Sequence, residues 1–282
     1  MTRIKTTTAD APQVPLRLLL MSSFGGGKTY LMGYVAKRLF ELTGKRFMVF
    51  DFDIGWKTLK SNSFDVDLCS YFVDDDAGSQ AFNEFDEDFH EYLANPGDHG
   101  GFGLDSLTTL QSCAMAYVKA ENRNAGGKTF GRQVGKFQLT NENDFGVLVT
   151  MLMQILPQIL KISSHSIFVM TAHTRMMEDK NSGEMKILPA ISGRALPSQI
   201  GAWFTEVWYL KAEGYRDAVQ RVAQTASGGQ VDCKTQMSGM LYDSPVIPAV
   251  EKMLIDYGIN KEPSSETLKL IKDGGLSMDS VY

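Results

Sequence analysis

Short apolar runs alternate along the chain with segments in which apolar residues recur every three or four positions. Residues 16–21 are the first such run and predict a buried parallel strand. The segment after it has helical periodicity, and Gly44 is placed to end that helix. Residues 46–50 and 166–171 are further runs of the buried-strand type. Strands that alternate with helices predict an α/β fold around a mostly parallel sheet flanked by helices.

Other segments extend this pattern towards the C-terminus. Helical periodicity covers residues 80–93, a segment ending near Glu121, and residues 145–162, 246–257 and 265–272. Pro157 predicts a kink in the third of these helices. Residues 206–211 and 218–225 alternate apolar and polar positions and predict a β-hairpin. We therefore expect a flexible tail (residues 1–15), an α/β core (residues 16–240) and a C-terminal extension of short helices (residues 241–282).

Net charge and cysteine content limit the classes of partner and compartment. The 282 residues carry a net charge of −5, so binding to a nucleic acid would need a local basic patch. The three cysteines lie far apart and form neither a metal-binding nor a disulfide pattern, which fits a reducing compartment.

Two further features argue against a membrane protein. The first residues contain no apolar segment typical of a signal peptide. The longest apolar stretch, residues 145–160, is interrupted by polar residues and by Pro157 and is shorter than a membrane span. We expect a cytoplasmic protein that does not contact a membrane.

A glycine cluster between the first strand and the first helix predicts a phosphate-binding loop. The sequence SSFGGGKT, residues 22–29, keeps the end of the pattern G-x-x-x-x-G-K-[ST], and Ser22 replaces its first glycine. Glycines let backbone N–H groups face phosphate oxygens, the lysine reaches the β- and γ-phosphates, and the threonine hydroxyl binds Mg²⁺. The residues expected to hold ATP are Gly25, Gly26, Gly27, Lys28, Thr29 and Tyr30. The alternative is a glycine-rich turn that binds no ligand.

Acidic residues follow two of the other predicted strands. Asp105 ends an apolar run that Gly101 and Gly103 dilute, and Asp53 follows residues 46–50. A nucleotide hydrolase needs a carboxylate near Mg²⁺ and a group that orients the attacking water. We therefore predict that Asp105 and Thr29 bind the metal and that Asp53 acts on the water. Helix and loop capping are the alternative roles of these aspartates.

His173 ends the apolar run IFVMTAH. A polar side chain at this position could sense the γ-phosphate, and a purely structural histidine is the alternative.

The order of these motifs resembles the RecA-like recombinase core, a P-loop NTPase fold. The resemblance spans about residues 16–240 and is carried by SSFGGGKT, VFDFD, GLDSLTTL, FVMTAHTRM, the Asp144-Phe145-Gly146 helix start and LPAISGR. The chain resembles in particular the compact phage-encoded single-strand annealing ATPases of the Sak type.

The resemblance implies a role for each matching residue. Lys28 and Thr29 match the Walker A pair, and Asp105 matches the Walker B aspartate. Asp53 matches the catalytic carboxylate, which is usually Glu, and the shorter side chain implies slow hydrolysis. His173 matches the polar sensor. Lys234 matches a basic residue that reaches into the neighbouring subunit, although Gln236 replaces the second basic residue of that motif.

Two mobile loops bind DNA in this family, and the matching segments are about residues 122–143 and 176–197. Five basic residues and one acidic residue lie between Lys119 and Lys136. The candidate DNA-binding residues are Arg123, Lys128, Phe130, Arg132, Lys136, Arg175 and Arg194. Contacts to phosphates and stacking on a base would give sequence-independent, salt-sensitive binding. The alternative is a pair of solvated surface loops.

The resemblance implies a slow, DNA-dependent ATPase that uses ATP and Mg²⁺. It would assemble as a ring or filament on single-stranded DNA and promote annealing or strand exchange in phage recombination, in the host cytoplasm. A single-strand binding protein is a further expected partner. The alternatives are a P-loop ATPase that acts on a protein partner, in helicase loading or packaging, and a nucleotide-binding scaffold without DNA activity. A degenerate P-loop protein without turnover is a third alternative.

Overall fold

Strands and helices alternate through the first half of the computed structural model. The structure describes residues 14–72, 78–124, 133–134, 137–138, 140–161, 166–178, 183–193, 196–214, 220–240 and 242–259. The first eight elements are β1 (Leu16–Ser22), α1 (Lys28–Thr43), β2 (Phe47–Asp51), α2 (Trp56–Ser61), β3 (Asp67–Ser70), α3 (Gly78–Ala94), β4 (Gly101–Asp105) and α4 (Leu107–Asn124).

The second half adds a hairpin-rich region. Its strands are β5 (Gln133–Val134), β6 (Phe137–Gln138), β7 (Ile167–Glu178), β8 (Met185–Pro189), β9 (Glu206–Glu213), β10 (Gln220–Gln224) and β11 (Asp243–Pro245). Its α-helices are α5 (Glu142–Ile155), α6 (Leu196–Gln199) and α7 (Val246–Asp256). Two short 3₁₀ helices, Leu156–Lys161 and Ile200–Trp203, follow α5 and α6.

One large sheet organises the part of the chain that the structure describes. Its strand order is β11-β10-β9-β1-β7-β4-β2-β3, with β8 paired to β7 as a ninth strand. The strands from β9 to β3 are parallel, and β9, β10 and β11 pair antiparallel. This arrangement confirms the predicted α/β fold with a mostly parallel sheet, a C-terminal hairpin and flanking helices.

Alternate residues of β1 face two apolar cores on opposite sides of the sheet. Leu18 and Leu20 pack with residues of α1, α2 and α7. Leu19 and Met21 pack with residues of α3, α4 and α5. All four side chains are buried, and burial of each stabilises the fold by about 1.5–3 kcal/mol. The fold therefore holds the end of β1, and the loop that follows it, from both sides.

Close packing explains the glycines of β4, which weakened its strand pattern in the sequence. All five residues of β4 are buried. A Cβ atom on Gly101 would lie 2.4 Å from the carbonyl oxygen of Ile167, and one on Gly103 would lie 2.4 Å from Sδ of Met32. Helix α1 can approach the centre of the sheet because these side chains are missing.

Several elements differ from the sequence-based prediction. Residues 176–197 were expected to be a loop, but β7 continues to Glu178 and pairs antiparallel with β8. The predicted loop of residues 122–143 includes the end of α4 and the short antiparallel pair β5–β6. Helix α2 and strand β3 had no clear pattern in the sequence. The predicted tail, except residues 14 and 15, and the predicted helix of residues 265–272 lie outside the described residues.

Helix α5 begins earlier than predicted and changes type near Pro157. The Asn141 side chain accepts from Asp144 N–H, and the Asp144 side chain accepts from Asn141 N–H. The two residues form a capping box with Asn141 as the N-cap, so α5 begins at Glu142. The α-helical pattern ends at Ile155, and a 3₁₀ helix then carries the proline. The predicted kink is therefore a change of helix type.

In the described part of the chain, one helix is long and apolar enough to span a membrane by length and composition alone. It covers Glu142–Leu160, 19 residues with a mean hydropathy of 1.2. This helix is longer than the apolar stretch of residues 145–160, which the sequence analysis judged too short to span a membrane. However, Leu148, Leu152 and Ile155 are buried in the core. Core helices often satisfy the same criterion, so the helix is weak evidence for a membrane span.

Helix α7 lies in the predicted C-terminal extension and packs on the core that contains α1. Glu251 of α7 is fully buried and accepts from Arg38 Nε at 2.7 Å and from the Tyr34 hydroxyl at 2.9 Å. The division of the chain at residue 240 stays a prediction.

Candidate active site

A cavity of about 470 Å³ lies at the carboxyl ends of β1 and β2 and beside His173 in the middle of β7. This is the edge at which open α/β sheets bind their ligands. Its lining residues are Gly25, Gly26, Gly27, Lys28, Thr29, Tyr30, Asp53, Thr58, Asn62, His173 and Arg221. The structure therefore brings all six residues predicted to hold phosphate together with Asp53 and His173.

The loop after β1 has the backbone geometry of an anion site. Gly27 immediately precedes α1 and has a left-handed conformation with φ of 93°. A Cβ atom on Gly26 would lie 2.2 Å from Oγ of Ser22, so only glycine fits there. No side chain of the described residues caps this helix through Gly27, which leaves the first backbone N–H groups of α1 available to an anion.

Lys28 is held inside the loop by oxygen atoms. Its Nζ donates to Ser22 Oγ at 3.1 Å, to the Ser22 carbonyl oxygen at 3.3 Å and to the Ser23 carbonyl oxygen at 3.1 Å. Burial lowers the pKa of Lys28, while the carboxylates of Asp105 and Asp53 act in the opposite direction. Ser22 is fully buried, so the residue that replaces the first glycine orients the lysine.

Thr29 lines the cavity and contacts Asp105, which is buried behind it. The Thr29 hydroxyl donates to Oδ2 of Asp105 at 2.6 Å, and the Thr171 hydroxyl donates to Oδ1. Burial raises the pKa of Asp105 to about 6; hydrogen bonds from the two threonines oppose the shift, and the nearby carboxylates of Asp53 and Asp51 add to it. A cation beside this buried carboxylate would stabilise its charged form.

A hydroxyl and a carboxylate oxygen fit Mg²⁺, which prefers hard oxygen ligands. The described residues contain no group of three or more His, Cys, Asp or Glu side chains that could hold a metal. Mg²⁺ in nucleotide sites takes one or two protein ligands and completes its shell with phosphates and water. Thr29 and Asp105 are therefore the residues of this chain that would hold it.

Asp53 contacts His173 across the mouth of the cavity. Oδ2 of Asp53 lies 3.3 Å from Nε2 of His173, and the Thr109 hydroxyl donates to Oδ1. Burial raises the pKa of Asp53, but hydrogen bonds from His173, Thr109 and Ser106 outweigh it, and the pKa lies below its usual value. Asp53 is therefore ionised at neutral pH, as an acceptor of a proton from water must be.

His173 joins this acidic group to the phosphate loop. Its Nδ1 lies 3.2 Å from Nζ of Lys28, and its ring centroid lies 4.2 Å from that of Phe24. The His173 backbone N–H donates to the Thr108 hydroxyl at 3.0 Å, which fixes the middle of β7 against the start of α4. The histidine predicted to be a sensor therefore touches both the lysine and the carboxylate.

Asp51 shapes the turn that presents Asp53, a role that the sequence did not reveal. It pairs in register with Asp105 on the adjacent strand. Its Oδ1 accepts from Asp53 N–H at 3.0 Å and from Gly55 N–H at 2.9 Å, and its Oδ2 accepts from Trp56 N–H at 3.1 Å. The VFDFD segment thus has one structural aspartate and one that faces the cavity.

Lys234 lies away from the cavity of its own chain. Its Nζ donates to the carbonyl oxygen of Phe204 at 2.8 Å, and its backbone pairs with Val207. The predicted role of Lys234 concerns a neighbouring subunit, so the single chain does not test it, and it stays a prediction.

Few of the predicted DNA-binding side chains fall within the described residues. Arg175 is exposed on β7, and its Nη2 donates to the carbonyl oxygen of Ile191 at 2.6 Å. Arg123 lies in α4, and the structure describes its backbone but not its side chain. Lys128, Phe130, Arg132, Lys136 and Arg194 are all outside the described residues. DNA binding at these positions stays a prediction.

Comparison with protein families matches residues 14–237 to a family described as the AAA domain. The matched region begins just before β1 and includes every residue that lines the cavity. A comparison with curated proteins gave no match.

Proposed function

The chain belongs to the AAA domain family of nucleotide-binding P-loop ATPases, and on that premise we propose that it couples ATP hydrolysis to binding of single-stranded DNA. In this proposal the protein promotes annealing or strand exchange during phage recombination. The observation that carries the ATPase part is that Lys28, Asp53 and His173 line one cavity and that Thr29, which also lines it, donates to the buried Asp105.

The geometry supports hydrolysis by attack of water on the γ-phosphate. Backbone N–H groups at the start of α1 and the ammonium of Lys28 would bind the phosphate oxygens. Mg²⁺, held by Thr29 and Asp105, would neutralise developing charge on those oxygens. The ionised carboxylate of Asp53 lines the same cavity and would orient the attacking water. His173 holds Asp53 in place through the 3.3 Å contact.

Strand β7 supports a link between this cavity and DNA. Thr171, His173 and Arg175 are alternate residues of β7, so their side chains leave the same face of the strand. The first two contact Asp105 and Asp53, and the third lies in the β7–β8 hairpin that corresponds to the second predicted DNA-binding segment. A shift of His173 on ATP binding would therefore be transmitted along one strand to the predicted DNA-binding surface.

Assembly on DNA is the part of the proposal that rests on the resemblance to phage annealing ATPases. Lys234 would leave its intramolecular hydrogen bond to Phe204 and enter the cavity of a neighbouring subunit. A ring or filament formed in this way would contain ATP between subunits, and hydrolysis would release the DNA. A single-strand binding protein would deliver the DNA substrate.

The test is ATP hydrolysis by the purified protein with and without single-stranded DNA. We expect DNA to stimulate phosphate release at about 50 mM salt, and the stimulation to fall steeply by about 200 mM, because phosphate contacts release counterions. Arg175→Gln should weaken the DNA effect, whereas Lys37→Gln, which removes an exposed charge on α1, should not. Hydrolysis indifferent to DNA would contradict the proposal and favour an ATPase that acts on a protein partner.

A further inference from the structure

Arg221 approaches the phosphate loop from the side opposite to the acidic residues. It lies on β10. In the sheet, β9 is next to β1 on one side, and β10 is next to β9. On the other side of β1 lie β7 and β4, which carry His173 and Asp105, and β2, which precedes Asp53. The loop after β1 therefore lies between a carboxylate-rich side and a side that presents an arginine.

The side chain of Arg221 lies directly against Gly27. A Cβ atom on Gly27 would be 2.9 Å from Cδ and 3.0 Å from Nε of Arg221. The left-handed backbone of Gly27 favours glycine, and the Arg221 side chain fills the space beside it. The guanidinium is consequently placed beside the N-terminus of α1, where the helix already favours an anion.

The positive charges in the cavity are divided between two positions. Among the described lining residues, Lys28 and Arg221 carry full positive charges. Lys28 is bound by Ser22 and Ser23 and lies 3.2 Å from His173, on the side where the γ-phosphate and the attacking water would be. Arg221 lies on the Gly27 side of the loop, and its guanidinium offers five N–H donors whose arrangement matches phosphate oxygens.

We propose that Arg221 is a nucleotide-binding residue of the same chain that binds the α- and β-phosphates of a nucleoside di- or triphosphate. The proposal rests on the proposed ATPase function and adds to it the residue that holds the phosphates common to ATP and ADP. Arg221 therefore contributes equally to binding of substrate and product. An interaction of this kind affects KM and leaves kcat almost unchanged.

The experiment compares Arg221→Gln with the wild-type full-length chain by calorimetric titration with ADP and with a non-hydrolysable ATP analogue. A charge-assisted hydrogen bond of this type corresponds to a change of about tenfold or more in Kd. We expect similar weakening for both nucleotides and partial recovery in Arg221→Lys. The control is Lys57→Gln, which removes an exposed positive charge that does not line the cavity. We expect it to leave both Kd values unchanged.

Titration with inorganic pyrophosphate separates phosphate binding from stacking of the guanidinium on the base. Loss of pyrophosphate affinity in Arg221→Gln supports the proposal. Loss of affinity for ADP and the ATP analogue with unchanged affinity for pyrophosphate overturns it. Weakening of the ATP analogue but not of ADP would place Arg221 at the γ-phosphate and would also overturn it. A fall in kcat at unchanged KM does the same.

Wild-type behaviour distinguishes this inference from the proposed function. If the wild-type protein binds ADP and Arg221→Gln binds it equally well, the inference fails and the ATPase proposal stands. If the wild-type protein binds no nucleotide, the ATPase proposal itself fails and the inference fails with it. Arg221 is exposed, so we expect Arg221→Gln to retain the wild-type melting temperature.

Discussion

Nε2 of His173 lies 3.3 Å from Oδ2 of Asp53, although His173 belongs to β7 and Asp53 follows β2, and these strands are not neighbours. Strand β4 separates β7 from β2 in the sheet. The Asp53 backbone N–H donates to the carbonyl oxygen of Asp105 at 3.2 Å, so Asp53 lies at the end of β4, between β2 and β7. The candidate sensor and the candidate water-orienting group form one unit, and substitution of either should change the position of the other.

Lys28→Ala should weaken nucleotide binding strongly. The variant removes an ammonium that contacts Ser22 and Ser23 in the loop and His173 on β7. We expect Kd for ATP to rise at least about 100-fold, since a charged phosphate contact is lost in a partly buried site. Titration calorimetry measures this, with Lys37→Ala on the exposed side of α1 as the control. Wild-type affinity in Lys28→Ala would contradict a phosphate-binding role of the loop.

Asp53→Asn should slow hydrolysis and spare binding. The amide keeps the size of the side chain but cannot accept a proton from water at neutral pH. We expect kcat to fall about 100-fold or more, the usual scale for general base catalysis, with Kd for ATP changed less than about threefold. Single-turnover phosphate release separates the two effects. Asp65→Asn, on an exposed carboxylate that pairs with Arg46, should behave like the wild type.

Asp105→Asn should remove the thermal stabilisation that Mg²⁺ with ADP gives to the wild-type protein. The pKa of Asp105 is raised by burial to about 6, so its ionised form opposes folding above about pH 6, and this penalty disappears below the ordinary carboxyl pKa. Without metal at pH 8, the variant should therefore melt at or above the wild-type temperature. Mg²⁺ with ADP should then stabilise the wild type and not the variant, as thermal unfolding in Mg²⁺ and in EDTA would show. Equal stabilisation of both proteins would exclude Asp105 as a metal ligand.

Glu251→Ala should destabilise the fold far more than Glu41→Ala. Both carboxylates bind Arg38, but Glu251 is fully buried between α7 and α1, whereas Glu41 is 40 % exposed. Removal of Glu251 takes away the buried acceptor of Arg38 Nε and Nη2, while Glu41 still pairs with Nη1 at the surface. It should cost about 3–5 kcal/mol, against less than about 1 kcal/mol for removal of the surface partner. Urea unfolding measures both free energies. Similar values would show that α7 contributes little to the stability of the core.

The parts of the site that sequence alone could reveal are those whose chemistry is local. Gly27, Lys28 and Thr29 are adjacent, and the strand and helix predicted on either side of them, β1 and α1, are present in the structure. The glycines of β4 were harder to interpret, because the reason for them is contact with Met32 and Ile167 from distant segments. Strand β8 was missed because most of its residues are only half-buried, so it has no apolar run.

Long-range placement accounts for the remaining differences. Arg221 follows Gly27 by almost two hundred positions, and no local pattern marks it as a neighbour of the phosphate loop. The two aspartates of VFDFD look alike in the sequence, and only the backbone turn to Gly55 and Trp56 gives them different roles. The placement of Arg221 depends on sheet topology, and the roles of the two aspartates depend on a backbone turn. No local pattern in a single sequence reveals either of them.

The position of β1 at the centre of the sheet also sets when the protein can first bind ATP during its synthesis. β1 pairs with β7 through Ile167–His173 on one side and with β9 from Glu206 to Tyr209 on the other. The Walker A segment is translated early, but the strand that anchors it gains its second neighbour only after β9 has left the ribosome. At translation rates of about 5–20 residues per second, that interval is on the order of 10–40 seconds. A nascent chain would therefore carry a complete nucleotide motif well before it could use it, and it would be exposed to chaperones throughout that interval.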